Sequence, residues 1–417
     1  MKSCCLLLVL LGTLPLFAEE MKWLDDAVIQ KAKQAVVWLT LRETQAGIGF
    51  FASDDGLVVT SAGLCEGVSE VGVLTNGGEE IRGCRVVAMD PESDLAVLET
   101  GKKPTHYLKV QAKPAAAGEL CALFYMSEWR KISAADGKLL ARREGLNRKD
   151  ARFVDLWSVG MSPNLKGPGG YLVQPSGAPV ITRDGHVAGM CGFMRMTGEP
   201  SKQKFMFAIP EAAIASLLDT FRSSKQSLNS VTLAGATDPD YMEGVKLLNS
   251  GELPAAIEKF KLAAQRNPTD AGVMTVLAGA LVNSGHAAEA REVIGAILKL
   301  EPAHVRARIG MGVVISTLDG ETKAIDYFQR LTTEFPKLGE AWELLAKLYN
   351  RNGRKEEALA ARKKHAELEP DSMNAWDACY EAFAAVGDYA GAGKAREQFN
   401  DLESLFFKLT YSAPKRN

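Results

Sequence analysis

Histidine is scarce in this chain. Five occur in 417 residues, His106, His186, His286, His304 and His365, so the first hundred residues contain no imidazole for general acid–base work. Charge of one sign is not in excess either. Lys and Arg number 49 against 51 Asp and Glu, for a net charge of -2, and no local Lys/Arg run stands out, which excludes the electrostatic footprint of a nucleic-acid binder. Cysteine pairs at metal-ligand spacing such as CxxC are absent, so neither a metal nor a cofactor is expected. After the first seventeen residues no stretch approaches eighteen apolar residues, and no transmembrane segment is expected in the mature protein.

What is present begins with a leader. Lys2 supplies a short positive region, CCLLLVLLGTLPLF is apolar, and Ala18 before Glu19 offers a small residue for cleavage. Residues 1–18 are therefore read as a secretory signal, which predicts an exported protein, periplasmic or secreted. An uncleaved N-terminal anchor is the alternative. Removal of the leader leaves Cys65, Cys84, Cys121, Cys191 and Cys379, an odd number whose connectivity the spacing leaves open. Cys84, Cys121 and Cys191 stand in apolar, strand-like runs, where buried free thiols are expected.

The mature chain changes character once. Residues 34–210 read as short alternating or apolar runs (AVVWLTL, GIGFFAS, GLVVTSA, EVGVLT, LAVLE, APVITRDGHVAGM) broken by Gly, Asp-Gly and Pro, the signature of a closed or sandwiched all-β domain. Small polar residues without periodicity follow, and residues 223–236 are read as a linker. Beyond it a 34-residue period takes over. Pro268, Pro302, Pro336 and Pro370 obey it, as do Ala256, Ala290, Ala324, Ala358 and Ala392, and Gly251, Gly285, Gly353 and Gly387, with Asp319-Gly320 filling the missing step. A Gly at the turn, an Ala where helices cross closely and a Pro ending the second helix are what a stacked helical hairpin requires.

This grid resembles the tetratricopeptide repeat, as five units over residues 237–406 with a C-terminal tail at 407–417. The resemblance implies an all-α solenoid with a concave groove that binds protein or peptide ligands. Its inward positions would be Tyr241, Val245, Leu248, Thr275, Gly279, Val282, Ile309 and Val313 at an apolar end, and Glu340, Glu343, Lys347, Asp377 and Glu381 at a charged end. The Lys and Asn set with which some family members clamp a C-terminal carboxylate is missing. Coverage of the apolar end by the linker or the β-domain is the alternative to an open groove.

Four blocks in the first half, GIGFFASDDGLVVTSAGLCEG, SDLAVLE, QPSGAPVITRDGHVAGM and FMFAIPEAAIASLLDTF, stand in the order and at the separations found in trypsin-like, HtrA-type serine proteases. The resemblance covers residues 34–222 within a domain placed at 21–222, and implies a double β-barrel. Carried over residue by residue, Asp94 matches the triad acid and Ser176 the nucleophile, but Gly63 stands where the family has its His. The oxyanion region departs as well, with Gln174 and Pro175 leading to Ser176 where the family has Gly two residues before the serine. No other histidine is well placed in sequence to act as base. The expectation is a catalytically inactive protease homologue acting by protein or peptide binding. The alternative is a serine endopeptidase with an unconventional or substrate-supplied base acting through Ser176.

Overall fold

The computed structural model describes residues 23–41, 44–65, 70–90, 93–110, 114–128, 131–146, 153–161, 175–192, 205–224 and 238–411. The leader, Gln174 and the linker from residue 225 onward lie outside the described residues. The first half holds two closed antiparallel barrels. Strands β1 (Val36–Leu41), β2 (Thr44–Phe51), β3 (Leu57–Ser61), β4 (Glu70–Thr75), β5 (Glu80–Asp90) and β6 (Leu95–Glu99) close in the order β1-β2-β3-β6-β5-β4. Strands β7 (Leu120–Glu128), β8 (Lys131–Leu146), β9 (Phe153–Met161), β10 (Pro179–Thr182), β11 (Val187–Cys191) and β12 (Phe205–Pro210) close with the same connectivity shifted by six. Closure removes the unpaired strand edges that an open sheet would expose.

The period of two explains why these runs are so apolar. Val37, Leu39, Phe51, Val58, Ala96 and Leu98 form a cluster confined to the first barrel. Their chain neighbours Val36, Trp38, Phe50, Val59, Leu95 and Val97 point the other way, into a core continuous with the second barrel. Both faces of β3 and β6 are thus buried, so the runs lose the polar alternation of a half-exposed strand. Helix α1 (Asp26–Lys33), N-capped by Asp25, packs on β8, and helix α2 (Glu211–Ser224) straddles both barrels through β5, β6, β11 and β12. At the start of α2, buried Glu211 accepts from Trp157 Nε1 and Arg142 Nη1, each at 3.3 Å.

All five described cysteines are buried and none is in a disulfide. Desolvation raises the Cys121 thiol well above its usual value and pushes Cys191 up to about 12, so both stay protonated and unreactive at neutral pH.

The second half is a stack of helical hairpins. First helices are α3 (Pro239–Asn249), α5 (Ala271–Asn283), α7 (Val305–Leu318), α9 (Gly339–Arg351) and α11 (Met373–Ala385); second helices are α4 (Leu253–Arg266), α6 (Ala287–Leu300), α8 (Glu321–Glu334), α10 (Lys355–Leu368) and α12 (Tyr389–Tyr411). All five second helices begin 34 residues apart. The turn glycines take positive φ, as the reversal demands, from 72° at Gly353 to 97° at Gly320. Gly320 falls one residue late because α7 runs one residue longer than α5 and α9. Inside the first and third hairpins a small residue admits a large one: a Cβ at Gly244 would lie 2.7 Å from the Phe260 ring, and one at Gly312 2.4 Å from Phe328. A regularity unseen in the sequence also appears, since Arg308, Trp342 and Trp376 each donate to the carbonyl of the preceding unit's proline, Pro302, Pro336 and Pro370, at 2.8 to 3.0 Å.

The array does not end free of the barrels. Helix α12 continues to Tyr411, past the expected repeat boundary at 406, burying Phe406 and Leu409 and packing against β9. On β9 the fully buried Ser158 donates to the buried carboxylate of Asp371, in the turn between α10 and α11. A hydrogen bond to a buried charged group contributes about 1.5–3 kcal/mol, and its loss leaves Ser158 without that acceptor. Asp371→Ala is accordingly expected to loosen the array from the second barrel and raise the radius of gyration in small-angle scattering. An unchanged scattering profile would mean that α12 holds the two halves together without this pair.

Candidate functional site

Three segments converge at the seam between the barrels. The first is the turn after β3. Ser61 caps a short 3-10 turn over Ala62–Leu64, its hydroxyl oxygen accepting from Gly63 N at 3.2 Å. Gly63 is therefore part of a tight reversal at the end of a buried strand, with its N–H turned inward.

The second segment precedes β6. Asp94 is 4% exposed and has φ 53°, a left-handed conformation that Asp tolerates better than most residues. Its carboxylate accepts the Ser61 hydroxyl, 2.8 Å from Oδ1 and 2.9 Å from Oδ2, and the Gly63 N–H at 3.0 Å. Its own carbonyl accepts Ala62 N at 3.1 Å. Backbone and side chain of Asp94 thus both fasten the turn that carries residue 63.

The third segment leads into β10. Ala178 N donates to Pro175 O at 2.8 Å, closing a turn with Ser176 and Gly177 at its centre, and Gly177 supplies the positive φ of 87° that a type II turn requires at its third position. Ser176 is half-buried there. Gly177 N donates to Cys191 O at 2.7 Å, while a Cβ on the next residue, Gly192, would lie 3.5 Å from Asp94 Oδ2. On its other side Gly177 abuts Ile48 O and Thr60 Oγ1 of the first barrel. The fold thus fastens Asp94 to the turn at Gly63 and brings Gly192, next to the residue that Gly177 bonds, up to the same carboxylate.

No histidine joins them. His106 is exposed in the stretch between the barrels. His186 sits in the β10–β11 turn with Nδ1 2.8 Å from Asp184 Oδ2, at the end of β10 remote from Ser176, a strand length of about 13 Å at 3.3 Å per residue. His286 pairs with Ser284 at 2.8 Å, His304 is buried as the cap of α7, and His365 is buried in α10 with Nε2 3.5 Å from Glu369. Gln174, the other expected oxyanion-region residue, lies outside the described residues. Among these residues no group of three or more His, Cys, Asp or Glu could hold a metal ion.

The expected groove positions divide. Leu248 is 39% exposed, Tyr241, Val245, Val282 and Val313 are half-buried, and a Cβ at Gly279 would meet nothing within 4 Å. Thr275 and Ile309 lie in the interior. Thr275 is buried, donating to Ala271 O at 2.7 Å beside His304, and Ile309 belongs to the core between α8 and α9, because adjacent units close over these positions. At the charged end Glu340 pairs with Arg306, Glu343 with Lys347 at 2.6 Å, and Asp377 with Arg396 at 3.3 Å.

Sequence reasoning missed Ser61 and Gly192. Ser61 had a usable signal, a small hydroxyl residue directly before a turn. Gly192 had none, since its proximity to Asp94 exists only after both barrels close.

Family models match both halves of the chain. Residues 47–190 match the trypsin-like peptidase domain family, and residues 247–311 and 322–372 match tetratricopeptide repeat families. A comparison with curated proteins returns no match. Solved structures to which the chain is similar include the active form of the Rv3671c protease from M. tuberculosis, 22% identical with a TM-score of 0.39, covering 47% of this chain and 87% of that one. The MamO protease domain from Magnetospirillum magneticum is 18% identical with a TM-score of 0.37, covering 45% and 97%. The serine endoprotease from Yersinia pestis is 18% identical with a TM-score of 0.37, covering 48% and 67%. No helix among the described residues is long and apolar enough to cross a membrane. With two barrels of one connectivity followed by hairpins on a 34-residue grid, the chain joins a trypsin-like peptidase domain to an array of tetratricopeptide repeats.

Proposed function

We propose that this protein is exported and works by binding protein or peptide ligands, its trypsin-like domain retaining the architecture of a peptidase without cleaving. The observation that carries the reading is the turn beside the Asp94 carboxylate: residue 63 is a glycine, which offers that carboxylate a backbone N–H and no side chain, and each of the five imidazoles is placed elsewhere. A serine hydroxyl at neutral pH is a poor nucleophile; an imidazole must take its proton during attack and return it to the leaving amine. Glycine has no side chain for either transfer. In a subtilisin, removal of the histidine lowers turnover by about six decades, roughly 8 kcal/mol of transition-state stabilisation. Hydrogen-bond donors alone do not restore that.

Binding needs none of this chemistry. An extended peptide can pair with backbone groups at the barrel cleft, and the array's first helices offer Val245, Leu248, Val282 and Val313 beside the bare backbone of Gly279. The apolar N-terminal run with Lys2 before it and Ala18 after it supports an exported, periplasmic or secreted, location. A fluorophosphonate probe tests the central claim: wild-type protein is expected to remain unlabelled. Stoichiometric labelling that disappears in Ser176→Ala would establish a serine hydrolase instead. Peptide-library binding to full-length protein, compared with a Val245→Asp/Val282→Asp variant, tests the array; equal capture by both would move binding to the barrel.

A further inference from the structure

We infer that the open end of the array, where α11 and α12 line a cleft of about 570 Å³, docks an amphipathic helix of another protein that brings a Lys or Arg to Glu397 and Asp401. The four seams inside the array show what such a face receives. In each, the next unit's first helix packs on the preceding second helix, α5 on α4, α7 on α6, α9 on α8 and α11 on α10. Each incoming helix carries two apolar residues four apart: Val273 and Leu277, Ala307 and Met311, Ala341 and Leu345, Ala375 and Cys379. All but Met311 are buried. After unit five no described helix takes that place, because α12 runs on to Tyr411 and packs on β9. The cleft left there is lined by Ala384, Ala392 and Gly393 together with Tyr380 and Tyr389, and the Tyr389 ring is 78% exposed.

Unit four shows the same face with its helix in place. There Lys363, 34 residues before Glu397, holds Nζ 5.8 Å from the centre of the Phe383 ring of α11, so position 397 meets an incoming helix two turns beyond its first apolar anchor. In unit five the charge is reversed. Glu397 and Asp401 are exposed one turn apart on α12, and neither makes an ion pair among the described residues. Like charges at this spacing repel, and a cation laid between them relieves both. Gly393, where the other units have Ile257, Arg291, Ile325 and Leu359, keeps the cleft open, since a Cβ there would meet nothing within 4 Å. A second copy of this chain fits badly. Stacked head to tail in the same register, α3 would bring Pro239, Glu243 and Leu247 to the places of Ala375, Cys379 and Phe383, a carboxylate in an apolar slot and no cation for Glu397. This face lies outside the concave groove, so its failure leaves the proposed groove binding standing.

The experiment uses the full chain and a fluorescent, helix-stapled peptide of the α11 sequence, residues 373–385, carrying Cys379→Ala and Phe383→Lys. Saturable binding is expected by fluorescence anisotropy. Glu397→Lys/Asp401→Lys, at exposed helix positions that leave the core untouched, is expected to weaken it at least about tenfold, because like charges then face each other. A peptide with Phe383→Glu is expected to recover binding on that variant. Val245→Asp/Val282→Asp, altered in the concave groove, is expected to bind the first peptide as wild type does. Equal affinity for wild type and the charge-reversed variant, loss of binding in the groove variant, or no binding at all overturns the proposal. So does concentration-dependent dimerisation in analytical ultracentrifugation that Glu397→Lys/Asp401→Lys abolishes, since the occupant would then be a second copy.

Discussion

Gly177→Ala is expected to destabilise the barrel domain by more than about 3 kcal/mol, combining the cost of a left-handed residue with that of overpacking. A Cβ at this position would lie 2.0 Å from Ile48 O and 2.6 Å from Thr60 Oγ1, at φ 87°. The threonine is itself fixed, donating to Ile48 O at 2.7 Å, and the carbonyl belongs to β2, so neither obstacle can rotate away. Relief requires the second barrel to move off the first, carrying Ser176 away from Asp94. Gly78→Ala is the control, because Gly78 has the same φ of 87° with nothing within 4 Å of a Cβ. It is expected to lose only the conformational part, about 1–2 kcal/mol. Urea unfolding of both variants measures the difference, and equal losses would show that the seam has room to spare.

Phe328→Ala is expected to cost about 3–5 kcal/mol, the usual range for truncating a buried aromatic. The ring is 1% exposed and packs over Gly312, in a core with Ile325, Leu331, Leu345 and Tyr349. Because each unit of a stacked array is stabilised mainly by its neighbours, the loss should fall on the interface between the third and fourth units and split the array's helical unfolding transition in two. The 34-residue grid supplies an internal comparison. Arg362 and Arg396 hold the same position in the fourth and fifth units, and Arg396 lies 4.1 Å over the Tyr380 ring while pairing with Asp377. Arg396→Ala is expected to cost less than about 1 kcal/mol, since a partly exposed ion pair and cation–π contact contribute little. Thermal unfolding followed by circular dichroism separates the two; a loss at Arg396 as large as at Phe328 would mean that the terminal unit is as tightly packed as the middle of the array.

Much of this architecture is written in residue spacing. Turn glycines, crossing alanines and terminal prolines recur every 34 positions because each satisfies a local steric demand of one hairpin, and the helices start on that grid. The short apolar runs of the first half fix an all-β domain for the same reason, their period of two matching the pleat. Departures from the grid were also local. The extra residue in α7 goes with Asp319-Gly320, where the positive-φ residue stands one position later than in the other units.

The sequence alone determined the two architectures, the alternation that packs the barrels, and the lack of an imidazole at position 63, since each depends on residues within a few positions of one another. Tertiary structure decided the rest. Ser61 fastening Asp94 across 33 residues, Ser158 meeting Asp371 across 213, and Gly177 wedged against Ile48 are contacts between chain segments that no local preference brings together. Thr275 and Ile309 were taken into the core for the same reason: whether a position on a helix faces a groove or a neighbour is settled by the unit stacked beside it.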